Sequence, residues 1–150
     1  MQNPDPWLAA LQSTLALAKD YEPQRRLDLL LANPQLEWSL EPTTEEVIRF
    51  SECDPFGHLN NSRYFDYFMN ARDNHIHDAY FLDLSTHSAK TRENWVVKNH
   101  QIAYLRPARL RERIQIKSRL LEYTENETFV ELLMLDHSGK HLKALLWSRF

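Results

Sequence analysis

Between Ser62 and about Tyr80 the chain sets Tyr64, Tyr67, Phe68, Ala71 and His75 at i, i+3 and i+4 intervals, the spacing of one helical face. A second track of Phe65, Phe68, Met69, Ile76 and Ala79 widens that stripe. A helix this apolar and aromatic does not lie on a surface. It requires a sheet wrapped around much of its circumference, and the remaining sequence offers the strands.

Ahead of the helix, Val47, Ile48 and Phe50 suggest a short strand, which Pro55 and Gly57 break into a tight loop. After it, Trp95 to Leu105 reads as a strand stopped by Pro107. From Glu112 to Leu120 the alternation is clean: Ile114, Ile116 and Leu120 on one face, Arg113, Gln115, Lys117 and Arg119 on the other. Thr128 to Leu135 follows, then the turn residues Asp136-His137-Ser138-Gly139, and His141 to Phe150 closes the chain as a strand. Strands joined by short turns favour an antiparallel meander. The expected class is α+β, a curved antiparallel sheet around one long helix.

Residues 1–40 read separately as a helical extension. Trp7, Leu8, Leu11, Leu15 and Ala18 recur at helical spacing, Pro23 divides the segment, and Leu27, Leu30 and Leu31 follow before the stop signal Asn33-Pro34. Gln35 to Thr44 reads as a connector. The extension is expected either to cap the domain or to pack on a partner subunit.

Composition excludes several function classes. One domain is expected from 150 residues. A formal charge of −3 leaves no whole-domain basic footprint for nucleic acid. No apolar run reaches the ~18 residues of a membrane helix, and MQNPDPW is no secretory signal. A single cysteine, Cys53, excludes an internal disulfide framework, so a reduced, cytoplasmic protein is expected. With only Gly57 and Gly139, no glycine-rich phosphate loop can be built.

The densest chemistry lies in Cys53-Asp54-Pro55-Phe56-Gly57-His58-Leu59-Asn60-Asn61-Ser62-Arg63-Tyr64, at a strand-to-helix junction. A helix amino terminus carries unpaired N–H groups and a positive dipole end, which can hold a developing oxyanion. One carboxylate beside such a site, here Asp54, suffices to hydrolyse a reactive ester as nucleophile or as base for water. The plainer alternative is that Asp54 and Asn60 or Asn61 only cap the loop and helix.

This segment resembles the active-site region of hotdog-fold acyl-CoA thioesterases. Cys53-Asp54-Pro55-x-Gly57 with Tyr64 is similar to the 4-hydroxybenzoyl-CoA thioesterase pattern. His58-Leu59-Asn60-Asn61-x-x-Tyr64, followed by Ala71-Arg72, is similar to that of long-chain acyl-CoA and acyl-carrier-protein thioesterases. Trp95-Val96-Val97 with Ile102-Ala103-Tyr104-Leu105-Arg106-Pro107-Ala108 resembles the superfamily's central strand and its Tyr-x-x-Pro turn. The resemblance spans about residues 45–150 and implies a hotdog domain over 41–150. It implies Asp54 as catalytic carboxylate, the Asn61 amide as carbonyl-binding group, and His58 and Asn60 as residues shaping the site. Gly57, Tyr64 and Phe68 are expected on the substrate side. Phe56 stands where plant-type acyl-carrier-protein thioesterases place a catalytic asparagine, which favours the simpler carboxylate mechanism. Many relatives run on beyond the position of Phe150, so tail contacts with a ligand are not expected.

Between Lys98 and Arg119 seven basic residues face Glu112 alone, a local charge of +6. This is either a solvated sheet face or a site for the phosphates of coenzyme A or a phosphopantetheine carrier, with Arg106, Arg109 and Arg111 beside the Pro107 turn as the contacts. Aromatics interleaved for nucleic acid are lacking. Cys53, flanked by Glu52 and Asp54, reads as structural rather than nucleophilic. His75 and His77 do not share a helical face, no metal-binding spacing stands out, and His75 reads as a satisfied core or interface histidine.

The expected function is hydrolysis of an acyl thioester, with acyl-CoA or an acyl carrier protein as donor. No cofactor is expected beyond coenzyme A as part of the substrate, nor is a metal, nucleic acid or membrane. A homodimer or homotetramer is expected. The alternatives are an acyl hydratase or dehydratase on the same fold, which His58 keeps open, and a binding protein without turnover, which Asp54 argues against.

Overall fold

The computed structural model describes residues 42–80 and 83–150. The helical extension expected over residues 1–40 lies outside them. In chain order the elements are β1 (Thr43–Val47), a 3-10 turn (Phe50–Glu52), α1 (Asn61–Tyr80), α2 (Leu84–Thr91), β2 (Asn99–Tyr104), β3 (Arg113–Tyr123), β4 (Thr128–Asp136) and β5 (Leu142–Arg149). The strands form one antiparallel sheet in the order β1-β3-β4-β5-β2. β3, β4 and β5 are the expected meander, and β1 and β2 are its edges. The class is α+β and the arrangement is the hotdog fold.

The apolar stripe of α1 packs where its spacing requires. Tyr64, Tyr67, Phe68 and Ala71 are buried against Ile114, Ile116 and Leu120 of β3, Leu132 and Met134 of β4, and Ala144 and Leu146 of β5. His75 continues the stripe into the core at 3% exposure, and its ring nitrogens meet Thr44 Oγ1 of β1 (2.8 Å) and Ser118 Oγ of β3 (2.6 Å). Side chains alternate across a strand. Leu133 and Leu135 therefore face away from α1, in a second buried cluster with Leu121, Leu142, Leu145 and Trp147. Arg119, on a solvated face in one of the two sequence readings, is buried on that side.

Two local readings change, and a short helix joins them. β1 begins at Thr43, inside the expected connector, and ends at Val47; Ile48 enters the core while Phe50 sits in the 3-10 turn. Thr43-Thr44-Glu45-Glu46 is a strand because it pairs with Lys117 to Ile114, a long-range contact invisible to local pattern. β2 starts at Asn99, so Trp95 to Lys98 is lead-in rather than strand. α2 carries no buried residue and hence no apolar stripe; it starts where Asp83 accepts from the Ser85 and Thr86 N–H groups. Among the described residues no helix is long and apolar enough to cross a membrane.

Candidate functional site

Residues 53–60 fold into a tight loop whose backbone groups are almost all spoken for. Cys53 bridges Leu59, the Asp54 N–H donates to the His58 carbonyl (2.7 Å), and the Gly57 N–H donates to the Asp54 carbonyl (3.0 Å). Gly57 holds φ +74°, a left-handed conformation that a side chain resists even though open space lies around it. The Leu59 N–H goes to Ala108 O (2.8 Å) and the Asn60 N–H to Glu52 O (2.9 Å). Asn60 then caps α1, its Oδ1 accepting from the Ser62 N–H (3.0 Å) and hydroxyl (2.9 Å). Asn61 is the first residue of the helix, and none of the described residues accepts its N–H. That free donor is an expected consequence of helix geometry.

The Asp54 side chain makes the contacts of the plainer, loop-bracing reading and leaves the other reading open. Oδ1 accepts from the Phe56 N–H (2.9 Å) and the His58 N–H (3.0 Å) and so fixes the loop. No described residue donates to Oδ2. One oxygen braces the carboxylate while the other stays available.

Asp54, His58, Leu59, Asn61 and Tyr64 line a cleft of about 230 Å³ together with Tyr104, Leu105, Arg106 and Pro107. Tyr64 is buried, and its hydroxyl accepts from the Ala108 N–H (3.0 Å). Burial pushes this phenol above its ordinary pKa, although the Ala108 contact pulls it back. Tyr104 meets Tyr64 edge to face at 5.1 Å and donates its hydroxyl to the Asn61 carbonyl (3.0 Å). This contact ties β2 to the amino terminus of α1.

Of the residues singled out from sequence, Asp54, His58, Asn61, Tyr64 and Arg106 meet in this cleft. Gly57 shapes the loop and Asn60 caps the helix. Phe68, expected beside the substrate, is fully buried in the core. It occupies the centre of the stripe that the sheet covers, so its place is in the packing and not on the cleft. Arg109 and Arg111 are exposed on the adjoining turn and do not line the cleft. The His58–Arg109 bridge joins that turn to the Asp54 loop. Arg111 there takes φ 63°, its N–H donating to Ile48 O (2.9 Å). No described acidic side chain lies within ion-pair distance of Arg106, Arg109 or Arg111.

Leu59, Tyr104, Leu105 and Pro107 were not singled out as site residues. Tyr104 and Pro107 stand in the strand-and-turn pattern that carried the resemblance, which was the available signal. Cys53 donates its thiol to the Arg49 carbonyl (3.4 Å), and burial and the carboxylates of Asp54 and Glu52 raise its pKa. That setting suits a structural thiol. Among the described residues no cluster of metal-binding side chains occurs.

Several solved structures share this fold at low identity. A probable thioesterase from Bartonella henselae superposes with a TM-score of 0.66 at 18% identity, covering 73% of this chain and 88% of its own. YbaW, a probable thioesterase from Escherichia coli, gives 0.64 at 23%, covering 72% and 79%. A Thermus thermophilus thioesterase, solved with coenzyme A and zinc, gives 0.61 at 20%, covering 76% and 79%. No curated protein matches the sequence significantly. The thioesterase-like superfamily profile matches residues 48–147, which run from the core residue Ile48 through the Asp54 loop, α1 and the meander to Trp147. Two thirds of the chain, with the whole candidate site inside it, thus places this protein in the thioesterase-like superfamily.

Proposed function

We propose that the protein hydrolyses an acyl thioester to a carboxylic acid and a free thiol, with acyl-CoA as the substrate class. The observation that carries the reading is the free Asn61 N–H at the start of α1, sharing a cleft with a carboxylate whose Oδ2 is uncommitted. The thioester carbonyl oxygen accepts from the Asn61 N–H, and the helix dipole favours the charge that develops there. Asp54 then acts in one of two ways. As base, it takes a proton from a water whose oxygen attacks the carbonyl carbon. As nucleophile, its Oδ2 forms the carbon–oxygen bond and water later cleaves the anhydride. In both, the carbon–sulfur bond breaks and the thiolate leaves to be protonated.

Superfamily membership and the coenzyme A bound by the Thermus thermophilus relative support the substrate class. Arg106 at the cleft, with Arg109 and Arg111 on the adjoining turn, supplies guanidinium groups suited to the nucleotide phosphates. An acyl carrier protein would present a phosphopantetheine arm to the same place.

Release of free thiol from a panel of acyl-CoA chain lengths tests the activity. Asp54→Asn keeps the shape of the side chain and should lower kcat by about 10²–10⁴. Unchanged turnover in the pure variant would discard the carboxylate mechanism. Water addition to an enoyl-CoA without thiol release would replace hydrolysis by the hydratase alternative.

A further inference from the structure

We propose that Lys143 is a positioning residue for substrate binding, holding the Leu105–Pro107 wall of the cleft from a bulge in β5, with Glu112 as its counter-ion. The inference rests on the thioesterase reading for the identity of the ligand. Between the pairs Met134↔Ala144 and Leu135↔Leu142, β5 carries one residue more than β4, and that residue is Lys143. A bulge redirects the side chain it carries and bends the strand locally.

Lys143 is buried, which is rare for lysine unless the charge is paired. Its Nζ lies 2.7 Å from Glu112 Oε1 and donates to the Pro107 carbonyl (3.0 Å). Its own carbonyl accepts from the Leu105 N–H (2.8 Å) and the Arg106 N–H (2.9 Å). Leu105 and Arg106 thus hang on the backbone carbonyl at the bulge, which any residue there supplies, while the Pro107 carbonyl and Glu112 depend on the Lys143 side chain itself. Glu112 extends the clamp, since its Oε2 accepts from the Arg109 N–H (2.7 Å). The arginine-bearing turn is fixed at both ends.

Stability alone is a poor account of this arrangement. A buried ion pair is commonly matched or exceeded by apolar residues of similar volume. The arrangement instead fixes position. Proline offers no N–H, so the Pro107 carbonyl is that residue's only main-chain handle. Neither Lys143 nor Glu112 bonds to Asp54 or to the Asn61 amide, and the clamped turn meets their loop only through the backbone contacts of Ala108, Arg109 and Leu110. Loss of Lys143 should therefore weaken binding more than chemistry.

The test compares wild type with Lys143→Met, Lys143→Arg and Glu112→Gln. KM and kcat are measured on acyl-CoA, and calorimetric binding of free coenzyme A supplies a readout independent of turnover. Lys143→Met should raise KM and the Kd for coenzyme A about tenfold or more, with kcat within about threefold, because a misplaced wall costs binding geometry. Lys143→Arg should restore most of the affinity, its guanidinium still reaching Glu112. Glu112→Gln should shift the same constants in the same direction, and it carries the test if Lys143→Met does not fold. Wild-type KM and Kd in both variants, with only thermal stability lowered, would overturn the proposal. So would a fall in kcat at unchanged KM. A wild type that binds coenzyme A without hydrolysing acyl-CoA would sink the hydrolase reading and leave Kd to judge the clamp. A wild type that binds no coenzyme A overturns both.

Discussion

His75 and Asp54 show two ways in which a polar side chain's hydrogen-bonding capacity is spent. Asp54 keeps one oxygen at the cleft. His75 commits both ring nitrogens to Thr44 and Ser118 inside the core. Burial lowers its pKa from 6.5 to about 4, against a weaker pull upward from Asp78. The folded ring therefore stays neutral where an unfolded one gains a proton. Between pH 6.5 and about 4 the unfolded chain binds more protons at this position, and stability must fall as the pH drops through that window. The largest slope from one such group is ~1.4 kcal/mol per pH unit, approached in the middle of the window. Above pH 6.5 the contribution is fully present. Urea midpoints taken from pH 7 down to pH 4 should reveal this limb, and His75→Gln should flatten it. A His75→Gln variant with the wild-type slope would assign the acid sensitivity elsewhere.

α1 is both the centre of the packing and the holder of the candidate oxyanion donor, and Asn60 links the two roles. Its Oδ1 satisfies Ser62 at the helix start, which leaves Asn61 as the residue with the open N–H. Asn60→Ala should cost about 0.5–2 kcal/mol in denaturant stability, the usual range for a lost cap. Under the proposed mechanism it should also lower kcat, because the first turn frays where the carbonyl oxygen would bind. A stability loss with wild-type kcat would separate cap from site. The sequence made this element legible because its signals were local: the i, i+3, i+4 stripe, and Asn at a helix start after a Pro-Gly loop. The meander was legible for the same reason, through period-two alternation and the Asp136–Gly139 turn. β1 was not, because Thr43-Thr44-Glu45-Glu46 is a strand only by virtue of β3. The burial of Phe68 against the substrate-side role expected of it has a related cause: periodicity marks the buried stripe but not which part of it meets a cleft. Tyr104 and Lys143 escaped notice because the first acts across the gap between β2 and α1, and the second depends on a bulge that no local spacing announces.

At the level of the molecule, the sheet has two edges that differ in character. Among the described strands β1 pairs on one side only, with β3; it carries Glu45 and Glu46, and repeated carboxylates oppose pairing with a copy of themselves. β2 carries no formal charge and no proline between Asn99 and Tyr104, so among the described residues it lacks the charged and proline devices that protect a sheet edge. The chain leading into it exposes Val96 at 72% and partly exposes Trp95 and Val97. An edge of this kind next to apolar surface calls for a partner, and a second copy of the chain offers a matching strand under twofold symmetry. Pairing β2 with its symmetry mate would join two sheets into one and cover the Trp95–Val97 segment. Tyr104 ends β2 and also lines the cleft, so the partner strand would run beside the candidate site. The expected species at micromolar concentration is a dimer of twice 17.9 kDa or a tetramer built from it. Light scattering and analytical ultracentrifugation decide the point, and a stable, fully active monomer would rule out a site completed by the partner.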